Sequence, residues 1–424
     1  MMNEVLAQAI QQIEQGHHEE GLKAVEGLIP KADDETKRTI AELYFELGLV
    51  DQSLILLEEL MFQYPDQGEL FAFAAECYSE LGKEDEAIDM LTEVKKGDPA
   101  FIQARLLLAD LYESDGLEEV AEKKLLEALE EEPDDAVLQL GLGEFYLNRG
   151  EFQKAISYYK QVILQQKLPE EFPVHPELRL AEAYSAIGEF EDALAHYKLG
   201  LGDEEPPDAL FGYAVTAMQL DDVETALSAF ERLLEADPDY TTAYPLLAKA
   251  LIAEQRYDEA VSVLEDGIKK DEFNEDLYLE MARLQVAKGE QAEGISFLQK
   301  VIALNPSNLT AVKDLLAIHD EQSNFDEIKD LLSFLDEYKE YDPLFERYRG
   351  KILLEDDDVS GASEAYLQAI DGLSEDERLL EEALEAFLSA GWINQSITVL
   401  KLLTEKQPHR EDLQDQLNRL TNSN

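Results

Sequence analysis

Four scarcities bound what this chain can be. It has one cysteine, Cys77, so no intramolecular disulfide can form. Lysine and arginine total 35 against 94 aspartates and glutamates, a net charge of −59. Such a surface repels a phosphate backbone and an anionic lipid surface, which excludes nucleic acid and membrane association as leading roles. No apolar run approaches the roughly 20 residues that cross a bilayer, and the first fifteen residues lack the cationic start and apolar block of a secretory signal. A cytoplasmic location is the expectation. Glycine and proline, 22 and 14 among 424 residues, are sparse and recur at intervals, as punctuation does and linkers do not.

What is present is a period. Leu81-Gly82-Lys83-Glu84-Asp85-Glu86-Ala87 is followed 34 residues later by Asp115-Gly116-Leu117-Glu118-Glu119-Val120-Ala121, and 34 later again by Arg149-Gly150-Glu151-Phe152-Gln153-Lys154-Ala155. Tyr44, Tyr78, Tyr112 and Tyr146 keep step, as do Pro65, Pro99 and Pro133. The frame extends to twelve units starting at Met2, Asp34, Gly68, Ile102, Ala136, Val174, Pro207, Thr241, Glu275, Leu309, Pro343 and Glu377. Place eight is Ala or Gly in ten of the twelve, with Leu316 and Leu384 as exceptions. Place twenty is Gly, Ser or Ala in eleven, with Ile328 as the exception, and place twenty-four is apolar in all.

Packing explains the pattern. Each unit reads as two amphipathic helices. Small residues at places eight and twenty let the two backbones approach, and large apolar residues fill the space between units. Glycine near place fifteen ends the first helix in the left-handed conformation, and proline near place thirty-two ends the second. Units that cannot bury their own apolar faces must stack. On these residues the chain resembles the tetratricopeptide-repeat (TPR) family over nearly its whole length. Repeats two to six match best, the family's tryptophan at place four is absent throughout, and repeat ten (Leu316, His319, Ser323, Ile328) departs most. Size and acidity also resemble the long cytoplasmic TPR proteins of Gram-positive bacteria.

The resemblance implies an all-α, right-handed α-α superhelical solenoid of about twelve helix-turn-helix repeats plus a C-terminal capping helix. The expected divisions are 1–173 for repeats one to five, 174–206 for repeat six between proline-rich turns, 207–410 for repeats seven to twelve, and 411–424 for the cap and tail. In the cap, Leu413, Leu417 and Leu420 share one helical face, and solenoids need such a polar-backed end. Trp392 is expected to pack against it.

The family binds proteins or peptides through places two, five, nine, twelve and thirteen of its first helices. Place nine here gives Glu42, Glu76, Asp110, Glu144 and Glu182 in repeats two to six, an acidic ladder. Basic Lys249, Arg283 and Lys351 follow in later repeats, and these can instead pair with neighbouring acids. Phe73, Leu106, Leu140, Leu147, Phe211, Met218 and Ile252 supply an apolar strip that suits an amphipathic helix or serves ordinary packing. The expected function is a non-enzymatic scaffold or adaptor that holds a basic or helical segment of a partner protein. A self-associating homo-oligomeric array is the alternative. The Lys and Asn places of the chaperone-carboxylate clamp are occupied by Glu, Asp or apolar residues in repeats two to six.

No sequence feature supports an enzyme, a cofactor or a metal. Gly141-Leu142-Gly143 falls inside a first helix and lacks the following Lys-Ser or Lys-Thr of a phosphate loop. His17-His18-Glu19-Glu20 reads as a solvated turn. Asp356-Asp357-Asp358-Val359-Ser360-Gly361 opens like a calcium loop, but the bidentate acid due at the twelfth place is Leu367. Cys77 between Glu76 and Tyr78 reads as a packed thiol.

Overall fold

The computed structural model describes residues 2–167, 173–202, 205–339 and 341–422, and no strand occurs among them. Both proline-rich turns that flank repeat six fall partly outside these residues, at 168–172 and 203–204. The described residues form twelve helical hairpins, one further α-helix and a short 3-10 turn, Ile29–Lys31. In repeats one to three these are α1 Met2–Glu14 with α2 His18–Leu28, α3 Asp34–Glu46 with α4 Val50–Gln63, and α5 Gly68–Glu80 with α6 Glu84–Glu93. Repeats four to six follow as α7 Phe101–Ser114 with α8 Glu118–Glu131, α9 Ala136–Asn148 with α10 Phe152–Gln165, and α11 Pro176–Ala186 with α12 Phe190–Gly200. Repeats seven to nine are α13 Pro207–Gln219 with α14 Val223–Ala236, α15 Ala243–Ala253 with α16 Tyr257–Lys270, and α17 Glu275–Ala287 with α18 Gln291–Leu304. The last three are α19 Leu309–Glu321 with α20 Phe325–Tyr338, α21 Pro343–Glu355 with α22 Val359–Leu373, and α23 Glu377–Ala390 with α24 Ile393–Lys406, closed by α25 Glu411–Asn422. Nine of the twelve starts read from the period coincide with a helix start. The others miss by one or two residues, at Phe101, Pro176 and Ala243. The chain divides into two compact units, Met1–Thr216 and Ala217–Asn424, and the division falls inside α13.

Each hairpin closes on one geometry. The residue at the bend has a positive φ in all twelve: glycine in eight, and Asp221, Gln255, Ser323 and Asp357 in repeats seven, eight, ten and eleven. The next backbone N–H donates five residues back, as Lys83 does to Tyr78 (2.9 Å) and Leu117 to Tyr112 (2.7 Å), and so satisfies a carbonyl that the helix end leaves open. Side-chain caps open six first helices, at Asp33, Asp135, Asn274, Asn308, Asp342 and Asp376, and two second helices, at Asp222 and Asp358; each accepts from a backbone N–H of the first turn. The acidic run that resembled a calcium loop is therefore one bend residue, Asp357, and one cap, Asp358.

Places eight and twenty are buried in every repeat. The hydroxyl of Ser53 at place twenty donates to the carbonyl of Ala41 at place eight (2.8 Å), a direct stitch between the two helices. Where place twenty-four is the fully buried Tyr159 or Tyr366, place eight is Gly143 or Gly350. A Cβ there would come within 2.6 Å and 2.8 Å of the tyrosine ring, respectively. Repeat ten puts Leu316 and Ile328 at the two crossing places, both fully buried, and α19 and α20 pack less closely than the other hairpin pairs described. The two helices of repeat ten stand in the expected positions, with bulk at their crossing in place of backbone proximity.

At the C-terminal end, Leu413 of α25 is 4% exposed and Leu417 and Leu420 lie against the cluster of Leu379, Leu380, Val399, Leu400 and Leu403. Trp392 belongs to the same cluster, but its ring partner is Phe387 of its own hairpin, stacked at 5.7 Å and 15°.

Candidate functional site

First helices of successive hairpins touch at α5–α7, α9–α11 and α15–α17, so each unit has a wall of first helices in which place-nine side chains stand one repeat apart. The geometry divides the acidic ladder into paired and unpaired members. Arg38, on the same helix as Glu42, bonds Glu42 (3.3 Å) and also Glu69 of the next repeat (2.7 Å). Arg179 sits between Glu144 (3.2 Å) and Glu182 (2.9 Å), and Glu144 also accepts from the Tyr159 hydroxyl (2.7 Å). Among the described residues Glu76 has the amide of Gln103, at 2.9 Å, as its partner and no cation. Among the described residues Asp110 has no ion pair or hydrogen bond. Loss of hydration against the wall pushes both carboxyls above the ordinary carboxylate range, opposed only by the Gln103 bond at Glu76.

Two clefts meet at Glu76. One, of about 410 Å3, is lined by Arg38, Glu42, Glu69, Phe73, Glu76 and Gln103, with Ala72, Pro99 and Ala100. Phe73 is half-buried and meets Phe45 edge to face at 5.5 Å. The other, of about 440 Å3, lies farther along α5 and α7. Its floor is Phe45, Ala75, Leu91, Leu107 and Leu111, and its rim is Glu76, Ser79, Glu80 and Asp110.

The remaining candidate residues lie apart from these clefts. Leu106, Leu147, Phe211, Met218 and Ile252 are half-buried along first helices. Leu140 is a correction: at 3% exposed it belongs to the core cluster with Leu142 and Phe145, because α9 is apolar on nearly every side. In the second unit Arg283 bonds Glu280 (2.6 Å) and approaches Asp314 (3.7 Å), and Lys351 bonds Asp320 (2.6 Å) and Glu382 (3.3 Å). Lys249 is exposed. A further cleft of about 380 Å3 lies between α17 and α19, with Ala282, Val286, Ala317 and Ile318 in its lining.

Sequence reasoning passed over Arg38, Arg179, Gln103, Phe45, Leu107 and Leu111. Arg38 and Arg179 carried a signal: they precede Glu42 by four and Glu182 by three residues, the spacing at which helical side chains meet. Among the described residues there is no group of three or more His, Cys, Asp and Glu side chains placed to hold a metal, and no helix long and apolar enough to cross a membrane.

Several known proteins are similar to this chain. Tetratricopeptide-repeat family models match residues 26–99, 178–241, 217–272 and 251–318, and a model described as YpiA-like, tetratricopeptide repeats, matches 114–167. Among solved structures, yeast Tom70 aligns over 100% of this chain and 96% of its own at 13% identity (TM-score 0.43). YrrB, described as a TPR protein with an unusual peptide-binding site, aligns over 45% of this chain and 96% of its own at 18% identity (TM-score 0.40). TPR repeat-containing protein YpiA of Bacillus subtilis (strain 168) is 33% identical over 419 residues, 99% of both chains. With that full-length relative and with twelve hairpins of this form, the chain belongs to the tetratricopeptide-repeat family.

Proposed function

We propose that this chain is a non-enzymatic scaffold whose first-helix wall in repeats two to four holds a basic or amphipathic segment of a partner protein. One observation carries the reading. Glu42, Glu144 and Glu182 each pair with an arginine of the chain itself, whereas Glu76 and Asp110, at the centre of the ladder, have no cation partner among the described residues. A partly dehydrated carboxylate without a cation is unfavourable in the free protein, and a lysine or arginine from outside offsets that penalty. The acidity around it also steers a basic ligand inward at low salt. A cytoplasmic setting belongs to the same reading and suits the free thiol of Cys77.

The test is calorimetric titration of the full chain with a lysine- and arginine-rich peptide and with its acidic counterpart. The basic peptide is expected to bind and the acidic one not, and Glu76→Lys with Asp110→Lys is expected to abolish binding without loss of helix content by circular dichroism. Unchanged binding by the double variant would sink the reading. Light scattering over a concentration series gives the other outcome: a dimer that the same double variant dissolves would put a second copy of the chain in the groove.

A further inference from the structure

The apolar cleft beside Glu76 is left open by the small residue at its base. Ala75 stands at place eight, where α5 and α6 cross, and any larger residue would force that hairpin apart. Leu91 of α6, 1% exposed, is fixed in the core and forms the floor, with Leu107 and Leu111 of α7 as the far wall. The result is a cleft of about 440 Å3 with an apolar base. Its rim carries Glu76 and Asp110, and no lysine or arginine is among its lining residues. The neighbouring cleft shares Glu76 and holds one arginine, Arg38, already bonded to Glu42 and Glu69.

We infer that this cleft seats one large apolar side chain of a partner segment, and that a lysine or arginine two or three residues away in that segment enters the neighbouring polar cleft, between Glu69 and Glu76. The spacing follows from α5. The polar cleft is lined by its residues from Glu69 to Glu76 and the apolar cleft by those from Ala75 to Glu80, so their centres differ by about five residues. At about 1.5 Å per residue that is roughly 8 Å along the helix, a distance an extended chain covers in two to three residues of about 3.3 Å each. Charge selects the occupant. A second copy of a chain of net charge −59 brings like charge to an acidic rim, as does an anionic lipid. The inference rests on the proposed role of this wall and narrows it to a motif.

Fluorescein-labelled Gly/Ser peptides carrying one arginine and one leucine, two or three residues apart, test it by anisotropy against the full chain at low salt. Burial of a leucine side chain predicts binding about tenfold tighter than for the same peptides with serine replacing leucine. Ser79→Trp, which plugs the cleft from an exposed rim position, is expected to erase that ratio, whereas Glu144→Gln should preserve it. Equal affinity of the leucine and serine peptides, or a ratio that survives Ser79→Trp, overturns the motif and leaves the basic-segment reading standing. If no arginine-bearing peptide binds, both fall together.

Discussion

Gln255 shows what a single position does in this fold. It holds φ at +58° at the bend of repeat eight, a conformation that glycine adopts at eight of the other bends. A side chain there costs about 1 kcal/mol, because Cβ crowds the following carbonyl. Gln255→Gly removes that strain but adds freedom to the unfolded chain, so a net gain of up to about 1 kcal/mol is expected in urea denaturation. The converse, Gly82→Ala, should lose about as much. Gly143 makes a sharper case. Gly143→Ala drives a methyl group into the Tyr159 ring and should destabilise by about 1–3 kcal/mol. Adding Tyr159→Leu, the residue that fills the corresponding place as Leu57, Leu91 and Leu264, should recover part of the loss, although the bond to Glu144 goes with it. A double-mutant cycle over these two positions measures the coupling, and strict additivity would refute the steric account.

At the scale of the element, α6 depends on a neighbour. It stops at Glu93, ten residues long, and leaves its last carbonyls without helical partners. Arg105 of α7 answers them: its guanidinium reaches the carbonyls of Val94 (3.1 Å) and Leu91 (3.5 Å), pairs with Glu127 (3.0 Å) and lies over the Phe101 ring. Arg105→Ala leaves the Val94 carbonyl unanswered at a site only 9% exposed, leaves Glu127 with Lys124 alone and the Leu91 carbonyl with the Val94 N–H alone, and should lose about 1–3 kcal/mol. Thermal unfolding checks this, and a change within about 0.5 kcal/mol, ordinary for a surface substitution, would contradict it. Nothing at the level of sequence marked Arg105, because its partners come from α6 and α8 and only the stacking register brings them together. The hairpins themselves were legible for the opposite reason. Bend glycines, caps and small crossing residues act within one 34-residue unit, so the period exposed them even in repeat ten. The ladder was legible as a row of places. Which of its carboxylates stay unpaired was not, since Arg38 reaches Glu69, and Arg179 reaches Glu144, across a repeat boundary.

For the whole molecule, charge sets the response to solution conditions. With 94 acidic and 35 basic residues the folded chain repels itself, and most of its surface ion pairs are worth at most about 1 kcal/mol each. Screening should therefore stabilise it: the unfolding temperature is expected to rise between about 10 mM and 150 mM salt, as the screening length shortens from about 30 to 8 Å. A fall would mean that ion pairs outweigh repulsion. Proton linkage points the same way. Glu76 and Asp110 titrate above the ordinary carboxylate range when folded, so in that window the folded chain holds more protons than the unfolded one, and stability falls as pH rises through it. Glu76→Gln with Asp110→Asn should flatten that dependence and stabilise the free protein. Bend chemistry differs between the units. Every bend of Met1–Thr216 is glycine, whereas four of the six in Ala217–Asn424 are not. Cys77 adds one more consequence. Its thiol is fully buried on α5, next in sequence to Glu76 and 3.7 Å from the Ser53 hydroxyl, and no other sulfhydryl competes with it. Any thiol-specific reagent must wait for repeats two and three to part. The labelling rate is thus a built-in clock for the breathing of the proposed binding wall, and an occupant that bridges α3 and α5, both of which line the two clefts, should slow it.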